Sequence, residues 1–174
     1  SLIASGHMFK AHEMAKNAFE ENQDDVRLRQ IYALALLKTG ADVEARKLIY
    51  PLLEMEHSDT DHIEELKTVD VEALRNCQFL ATAEPDVLAD LANIFQEAWN
   101  YSRDSKDLDI ARELYVSSFN KDKNPANGIQ AAWQCWLTGN DDLGMSIADE
   151  VLRLLPPLGL SKNFDDLINL AETQ

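Results

Sequence analysis

Histidines and carboxylates that could bind a metal come closest together in an acidic stretch, residues 56–65. His57 and His62 lie five residues apart there, with Asp59 and Asp61 between them. Two histidines that share a zinc ion on one helix are spaced four residues apart, and structural zinc sites usually include cysteines. The stretch meets neither condition, so we interpret it as a solvated linker and predict no metal site.

Paired carboxylates are the second feature that could do chemistry, as a general acid and base. The pairs are Asp24-Asp25, Glu64-Glu65, Asp141-Asp142 and Asp165-Asp166. Several stand where a helix is expected to begin, where an acidic side chain accepts from free backbone N–H groups and faces the positive end of the helix dipole. The sequence lacks the compact motifs of nucleotide-binding loops, zinc proteases, serine hydrolases and Cys-x-x-Cys redox sites. We therefore predict a protein that is not an enzyme and uses no cofactor.

Composition restricts the class of partner. The chain has 174 residues, 45% hydrophobic and 27% charged, which suits one domain with a substantial core. Its 16 Lys and Arg against 31 Asp and Glu give a formal net charge of −15. That charge opposes nucleic acid and anionic membranes and permits a basic peptide or protein, although acidity also serves simply to keep a helical surface solvated.

Cysteine usage and hydropathy indicate the cellular compartment of the protein. Cys77 and Cys135 lie far apart, each on an apolar helical face, which favours buried free thiols over a disulfide or a metal site. No apolar run approaches the roughly 18 residues that a membrane span needs, and no leader pattern opens the sequence. We predict a cytoplasmic protein.

An internal repeat predicts the elements that position these residues. Gly6 and Gly40 lie 34 residues apart, as do Ala11 and Ala45. This period, with small residues at these places, is typical of tetratricopeptide repeats, in which each unit is a pair of packed helices. We predict an all-α fold, a tetratricopeptide-like right-handed superhelix.

The repeat divides a single helical domain, 1–174, into units. These are one and a half repeats at 7–56, a linker with short helices at 57–84, two further repeats at 85–156 and a terminal capping helix at 157–174. Helices are expected at 7–21, 25–39 and 42–50, with a break at Pro51. The unit opened by Pro85 has seven extra residues near 100–107, because Ala92 and Ala111 are 19 apart where Ala33 and Ala45 are 12 apart. Those residues either lengthen the helices or form a loop.

The first unit lacks nearly all of its first helix, since only residues 1–5 precede its turn. We favour a repeat cut short at this point. The alternative is a homodimer that pairs through residues 1–21, because an unfinished apolar end needs a cover.

Residues 86–152 carry a narrower pattern. It runs Leu91-Ala92-Asn93-Ile94-Phe95 and Trp99, then Ala111, Tyr115 and Phe119, then Gly128-Ile129-Gln130-Ala131-Ala132. This order resembles the TRAF-binding region of apoptosis signal-regulating kinases and related bacterial modules. The resemblance implies a helical-repeat regulatory module within a larger signalling protein, without implying that this chain binds TRAF proteins. Asn124-Pro125-Ala126-Asn127 departs from the family's usual residues before the glycine.

Tetratricopeptide repeats bind ligands in a concave groove lined by five positions of each first helix. Here those positions hold Arg27, Gln30, Leu34, Leu37, Lys38, Asp86, Ala89, Asn93, Gln96, Glu97, Ala126, Ile129, Trp133, Trp136 and Leu137. Repeats that clamp a terminal carboxylate use Lys, Arg and Asn, which Arg27, Lys38 and Asn93 match, but Asp86 and Glu97 oppose that ligand.

Trp133 and Trp136 share a helix face, and tryptophans are frequent anchors of protein interfaces. The alternative is that they pack in the core against a final helix around Phe164 and Leu167. We predict a non-catalytic scaffold that binds a protein or peptide, with Trp133, Trp136, Asn93 and Gln96 as contacts.

Overall fold

The computed structural model describes residues 7–54 and 69–155, and these residues form helices and short connections with no strand. The α-helices are α1 Met8–Glu21, α2 Val26–Lys38, α3 Asp42–Ile49, α4 Val71–Asn76, α5 Gln78–Thr82, α6 Pro85–Ser102, α7 Ser105–Asp122, α8 Pro125–Leu137 and α9 Asp141–Leu154. The predicted all-α class is confirmed, and the helices expected at 7–21, 25–39 and 42–50 are α1, α2 and α3. The capping helix predicted at 157–174, and His57 and His62, lie outside the described residues.

Short polar residues and prolines stand at the starts of several helices. The side chains of Asp25, Asp104 and Asn124 each accept from a backbone N–H in the first turn of the helix that follows. Pro85 and Pro125 occupy the first helical position, where the missing N–H costs no hydrogen bond. At Pro51 the α-helical path gives way to a 3₁₀-helix, Tyr50–Leu53.

Asn140 precedes α9 without capping it through its side chain. It stands at the N-cap position, but its Nδ2 donates to the carbonyl oxygen of Thr138 at 3.0 Å, and its side chain makes no cap bond. Asp141 and Asp142 in the first turn supply the negative charge that the helix dipole favours.

Consecutive helices pack as hairpins. Gly40 and Gly139, with φ of +84° and +72°, make the turns between α2 and α3 and between α8 and α9. α2 and α3 both contact α6, and α7 contacts α8, so each hairpin meets the next. The largest fully buried side chains of this core include Leu37, Ile49, Leu88, Leu91, Phe95, Leu114, Tyr115 and Phe119.

The extra residues of the third unit lengthen its helices. α6 and α7 have 18 residues each, against 13 in α2 and 8 in α3. Only Arg103 and Asp104 separate α6 from α7. Arg103 ends α6 in the left-handed region at φ 58°, and its guanidinium covers the Trp99 ring at 4.7 Å.

The short helices α4 and α5 fall within the segment predicted as a linker, and they pack on the rest of the fold. α4 contacts α7, where Arg75 donates to both oxygens of the buried Glu113 at 2.6 and 3.0 Å. At the end of α5, the Lys121 ammonium donates to the carbonyl oxygens of Ala81 and Ala83. Charged hydrogen bonds between α7 and each of these two segments therefore hold both short helices in place.

Candidate protein-binding surface

Outward-facing polar residues of α2 and α6, together with the tryptophans of α8, form the candidate surface, which we name the α2–α6–α8 surface. Its members are Arg27, Lys38, Asp86, Asp90, Asn93, Gln96, Glu97, Trp133 and Trp136. On α6 the residues Asp86, Asp90, Asn93 and Glu97 recur at intervals of three and four, so they share one face of the helix. This face is the middle of the surface.

The two cations predicted to contact a ligand are paired with α6. Arg27 Nη2 lies 2.6 Å from Asp86 Oδ2, and Lys38 Nζ lies 2.8 Å from Glu97 Oε2. Between them the buried Gln30 donates from Nε2 to the carbonyl oxygen of Val87 at 2.8 Å. Arg27 and Lys38 are therefore matched by carboxylates, which leaves no cation of this pair free for a ligand's terminal carboxylate.

Three residues predicted to line the groove are buried instead. Gln30 is 6% exposed, Leu37 0% and Ala89 9%. Because α2 and α6 pack directly on each other, these side chains fill their contact and the core below it. The exposed part of the predicted groove is thus narrower than the repeat positions indicate.

Asn93 and Gln96 belong to a hydrogen-bonded network that joins α6, α7 and α8. The Tyr115 hydroxyl donates to Asn93 Oδ1 at 2.6 Å and lies 3.4 Å from Gln96 Oε1. Gln96 Oε1 also accepts from Nε2 of Gln134 at 3.1 Å. Burial raises the pKa of Tyr115, so its hydroxyl stays a neutral donor at physiological pH.

Gln134 is fully buried, yet its Oε1 has no donor within hydrogen-bond distance. An unpaired buried acceptor costs about 1–3 kcal/mol. Nδ2 of Asn93 and Nε2 of Gln96 bond to no acceptor in the part of the chain that the structure describes. The network therefore retains two unused donors, on Asn93 and Gln96, and one unused acceptor that is buried, on Gln134.

Trp133 and Trp136 contact each other, with ring centroids 5.0 Å apart and ring planes inclined by 39°. Trp136 is 57% exposed and Trp133 is half-buried. Gln134 lies between them in sequence and donates to Gln96 on α6, so the two rings adjoin the α8 end of the polar network. Together the two rings offer a large apolar platform with indole N–H groups.

Asp90 is the carboxylate of this face that forms no ion pair with a described residue. It is exposed, and no hydrogen bond or ion pair reaches it from residues 7–54 or 69–155. Partial burial by neighbouring atoms raises its pKa, the charge of Asp86 raises it further, and Arg27 lowers it.

Sequence reasoning did not identify Asp90 as a member of the surface, or Tyr115 and Gln134 as the buried residues that hydrogen-bond to Asn93 and Gln96. Asp90 follows Asp86 by four residues, a spacing that places two carboxylates on one helix face. Gln134 is a polar residue within an apolar run, which indicates a buried hydrogen bond. For Tyr115 the sequence gives no signal, because the pattern around a core tyrosine does not show whether its hydroxyl has a hydrogen-bond partner.

The other buried charges are also paired. Arg46 on α3 contacts Asp42 of its own helix and Asp107 on α7, so it joins these two helices. Arg112 contacts Asp109 and Glu113 within α7. Burial raises the pKa of Asp107 to about 6, although Arg46 lowers it. Within the described ranges, no three histidine, cysteine, aspartate or glutamate side chains are placed to hold a metal ion.

Cys77 and Cys135 are free and buried, as predicted. Burial raises the pKa of the Cys135 thiol to about 11, which keeps it protonated and a poor nucleophile. Among the described helices, none is long and apolar enough to cross a membrane. Comparisons with models of protein families, with curated proteins and with solved structures gave no match to this chain.

Proposed function

We propose that this protein is a non-catalytic interaction module that binds a peptide or a segment of another protein on the α2–α6–α8 surface. The observation that carries the proposal is the tryptophan pair, in which Trp136 is 57% exposed beside Trp133 at 5.0 Å. Exposed aromatic side chains lose water on binding and supply large contact area at low entropic cost, which is why they dominate interface energies.

The order of helix contacts supports a tetratricopeptide-like stack as the scaffold. Each hairpin contacts the next, and α2, α6 and α8 occupy equivalent places in their hairpins. In a right-handed superhelix these three helices line one continuous wall. As a regulatory module of a larger cytoplasmic signalling protein, the domain would hold its ligand by equilibrium binding to this preorganised wall.

Selection of peptides tests the proposal. A random peptide library is panned against the protein, and the selected sequences are titrated calorimetrically against the protein and its Trp136→Ala variant. We expect micromolar binders whose affinity falls at least about tenfold in the variant, as is typical of an aromatic anchor.

The exposed Phe9 on α1 provides the matched control, because Phe9→Ala removes an aromatic side chain that is 83% exposed on another helix. Circular dichroism shows whether each variant retains its helices. Equal affinity for the protein and for a folded Trp136→Ala variant would contradict the proposed surface.

A second candidate function is self-association through α1. Phe9 is 83% exposed and Met14 56% exposed, so α1 presents apolar side chains that no described residue covers. Two copies paired through this helix would bury both. Sedimentation equilibrium distinguishes the candidates, because a dimer that dissociates in Phe9→Ala supports self-association, whereas a monomer at high concentration excludes it.

A further inference from the structure

The charges of the α2–α6–α8 surface do not balance, and this imbalance bears on the ligand. Three carboxylates, Asp86, Asp90 and Glu97, face two cations, Arg27 and Lys38. Both cations are engaged at 2.6 and 2.8 Å, so the excess negative charge resides on Asp90. Its raised pKa reflects the cost of holding that charge in a partly buried place beside Asp86.

We propose that the bound segment presents a lysine or arginine side chain to Asp90 and an apolar side chain to the Trp133–Trp136 pair. This inference rests on the proposed function and names the chemistry of its ligand. A ligand cation would complete the charge balance of the face, and the formal net charge of −15 would speed the approach of a basic segment.

An unused polar group beside Asp90 gives independent support. Asn93 is exposed and lies one turn along α6 from Asp90, and its Nδ2 has no acceptor among described residues. A carbonyl oxygen of a bound peptide backbone would accept from this amide, so the strip beside Asp90 suits a peptide.

The helix geometry sets the spacing between the two anchor residues of the ligand. Asp90 and Gln96 are six residues apart on α6, about 9 Å along the axis. Gln96 bonds to Gln134 on α8, which marks where the tryptophan pair begins. The step from α6 to α8 adds a helix spacing of about 8–10 Å, roughly at right angles to this distance. An extended peptide covers the combined path, about 12–13 Å, in about four residues. The predicted ligand therefore has a basic residue and an apolar residue about four positions apart.

Short capped peptides with leucine four positions from a variable residue test the inference. The variable residue is arginine, lysine, glutamine or glutamate in a glycine–serine background, and binding is followed by NMR through the indole N–H signals of the tryptophans. We expect the arginine and lysine peptides to bind at least about fivefold more tightly than the glutamine peptide, with the glutamate peptide weakest.

Variants of Asp90 separate a local contact from attraction by the overall charge. Asp90→Asn should remove most of the preference for basic peptides, and Asp90→Arg should reverse it in favour of glutamate. Asp149→Asn on α9 is the matched control, since Asp149 is exposed, makes no described ion pair, and its loss changes the net charge equally. It should leave the preference intact.

Three results would overturn the inference. Equal binding of all four peptides, with loss of binding in Trp136→Ala, would refute the role of Asp90 and leave the proposed function standing. If Asp90→Asn and Asp149→Asn reduced the preference for basic peptides equally, the overall charge of the protein would account for it, and a local contact with Asp90 would be refuted. No binding by any peptide to the folded protein would refute this inference, and failure of the library selection as well would refute the proposed function.

Discussion

Gly128 on α8 lies in a close contact with two other helices, and replacing it with alanine gives a quantitative test. A Cβ atom at this position would lie 2.4 Å from Val151 Cγ2 and 2.7 Å from the Phe119 ring. Both neighbours are fully buried, with 0% exposure, and belong to helices on either side, α9 and α7. Since carbon atoms normally approach to about 3.5–4.0 Å, these side chains or α8 itself must move by roughly 1 Å.

Two opposing effects set the magnitude for Gly128→Ala. Overpacking a filled core costs about 1–3 kcal/mol. Alanine in a helix interior gains about 0.5–1 kcal/mol over glycine, because the unfolded chain loses conformational freedom. The larger effect is steric, so we expect the free energy of unfolding to fall by about 1–2 kcal/mol. For a chain of this length that lowers the Tm by about 3–8 °C.

Urea unfolding followed by circular dichroism measures this loss, and a double-mutant cycle assigns it. Val151→Ala removes the nearest atom, so Gly128→Ala should cost about 1 kcal/mol less in that background, while contact with Phe119 remains. Gly144→Ala is the matched control, because its Cβ would meet Ala132 O and Cys135 Cβ at 3.1 Å and should cost less. A Gly128→Ala variant as stable as the wild type, or a cost unchanged by Val151→Ala, would refute the reasoning.

Three further predictions concern charges and exposed groups. The pKa of Asp107 is raised from 3.8 to about 6 in the fold, so ionisation of this carboxyl opposes folding. As pH rises through that interval, the wild type should lose up to about 3 kcal/mol of unfolding free energy relative to Asp107→Asn. Urea titrations of both proteins at several pH values measure this loss. Arg75→Ala should lower the free energy of unfolding by only about 1 kcal/mol, because water screens the half-exposed guanidinium. Hydrogen exchange in α4 should nevertheless become faster, because the bonds from Arg75 to Glu113 are lost. Arg75→Lys should restore part of this protection. Trp136→Ala should change unfolding free energy by less than about 1 kcal/mol, since the ring is mostly exposed, and a larger loss in the same assay would place this ring in the core.

Helix positions were predictable because they depend on local signals. Asp25, Pro85, Asn124 and Pro125 act within one turn of their own position, so the sequence alone indicates where α2, α6 and α8 begin. The sequence did not decide whether the extra residues lengthen α6 and α7 or form a loop, because the spacing of alanines gives the number of extra residues and not their conformation. Asn140 shows how a local side-chain hydrogen bond alters such a signal, because it stands at the N-cap position of α9 but its amide donates to the carbonyl oxygen of Thr138.

The candidate surface was less predictable because it depends on contacts between distant segments. Arg27 and Asp86 are 59 residues apart, and so are Lys38 and Glu97, so pattern alone does not show that each cation has a partner. The repeat positions also placed Leu37 on the groove, whereas the packing of α2 on α6 buries it. Helix periodicity identifies a face, and only tertiary packing determines how much of that face stays exposed.

The pairing across α2 and α6 explains how one surface can serve both the fold and a ligand. Arg27 and Lys38 hold α2 beside α6 through exposed ion pairs that water screens, so their main effect is to fix the relative placement of the two helices. By engaging both cations, these pairs leave Asp90 as the charge that an incoming segment meets. A carboxylate-bearing ligand would have to displace an existing pair, whereas a basic one adds a contact without breaking any. The ion pairs that position the helices would therefore also select against acidic partners of the proposed surface.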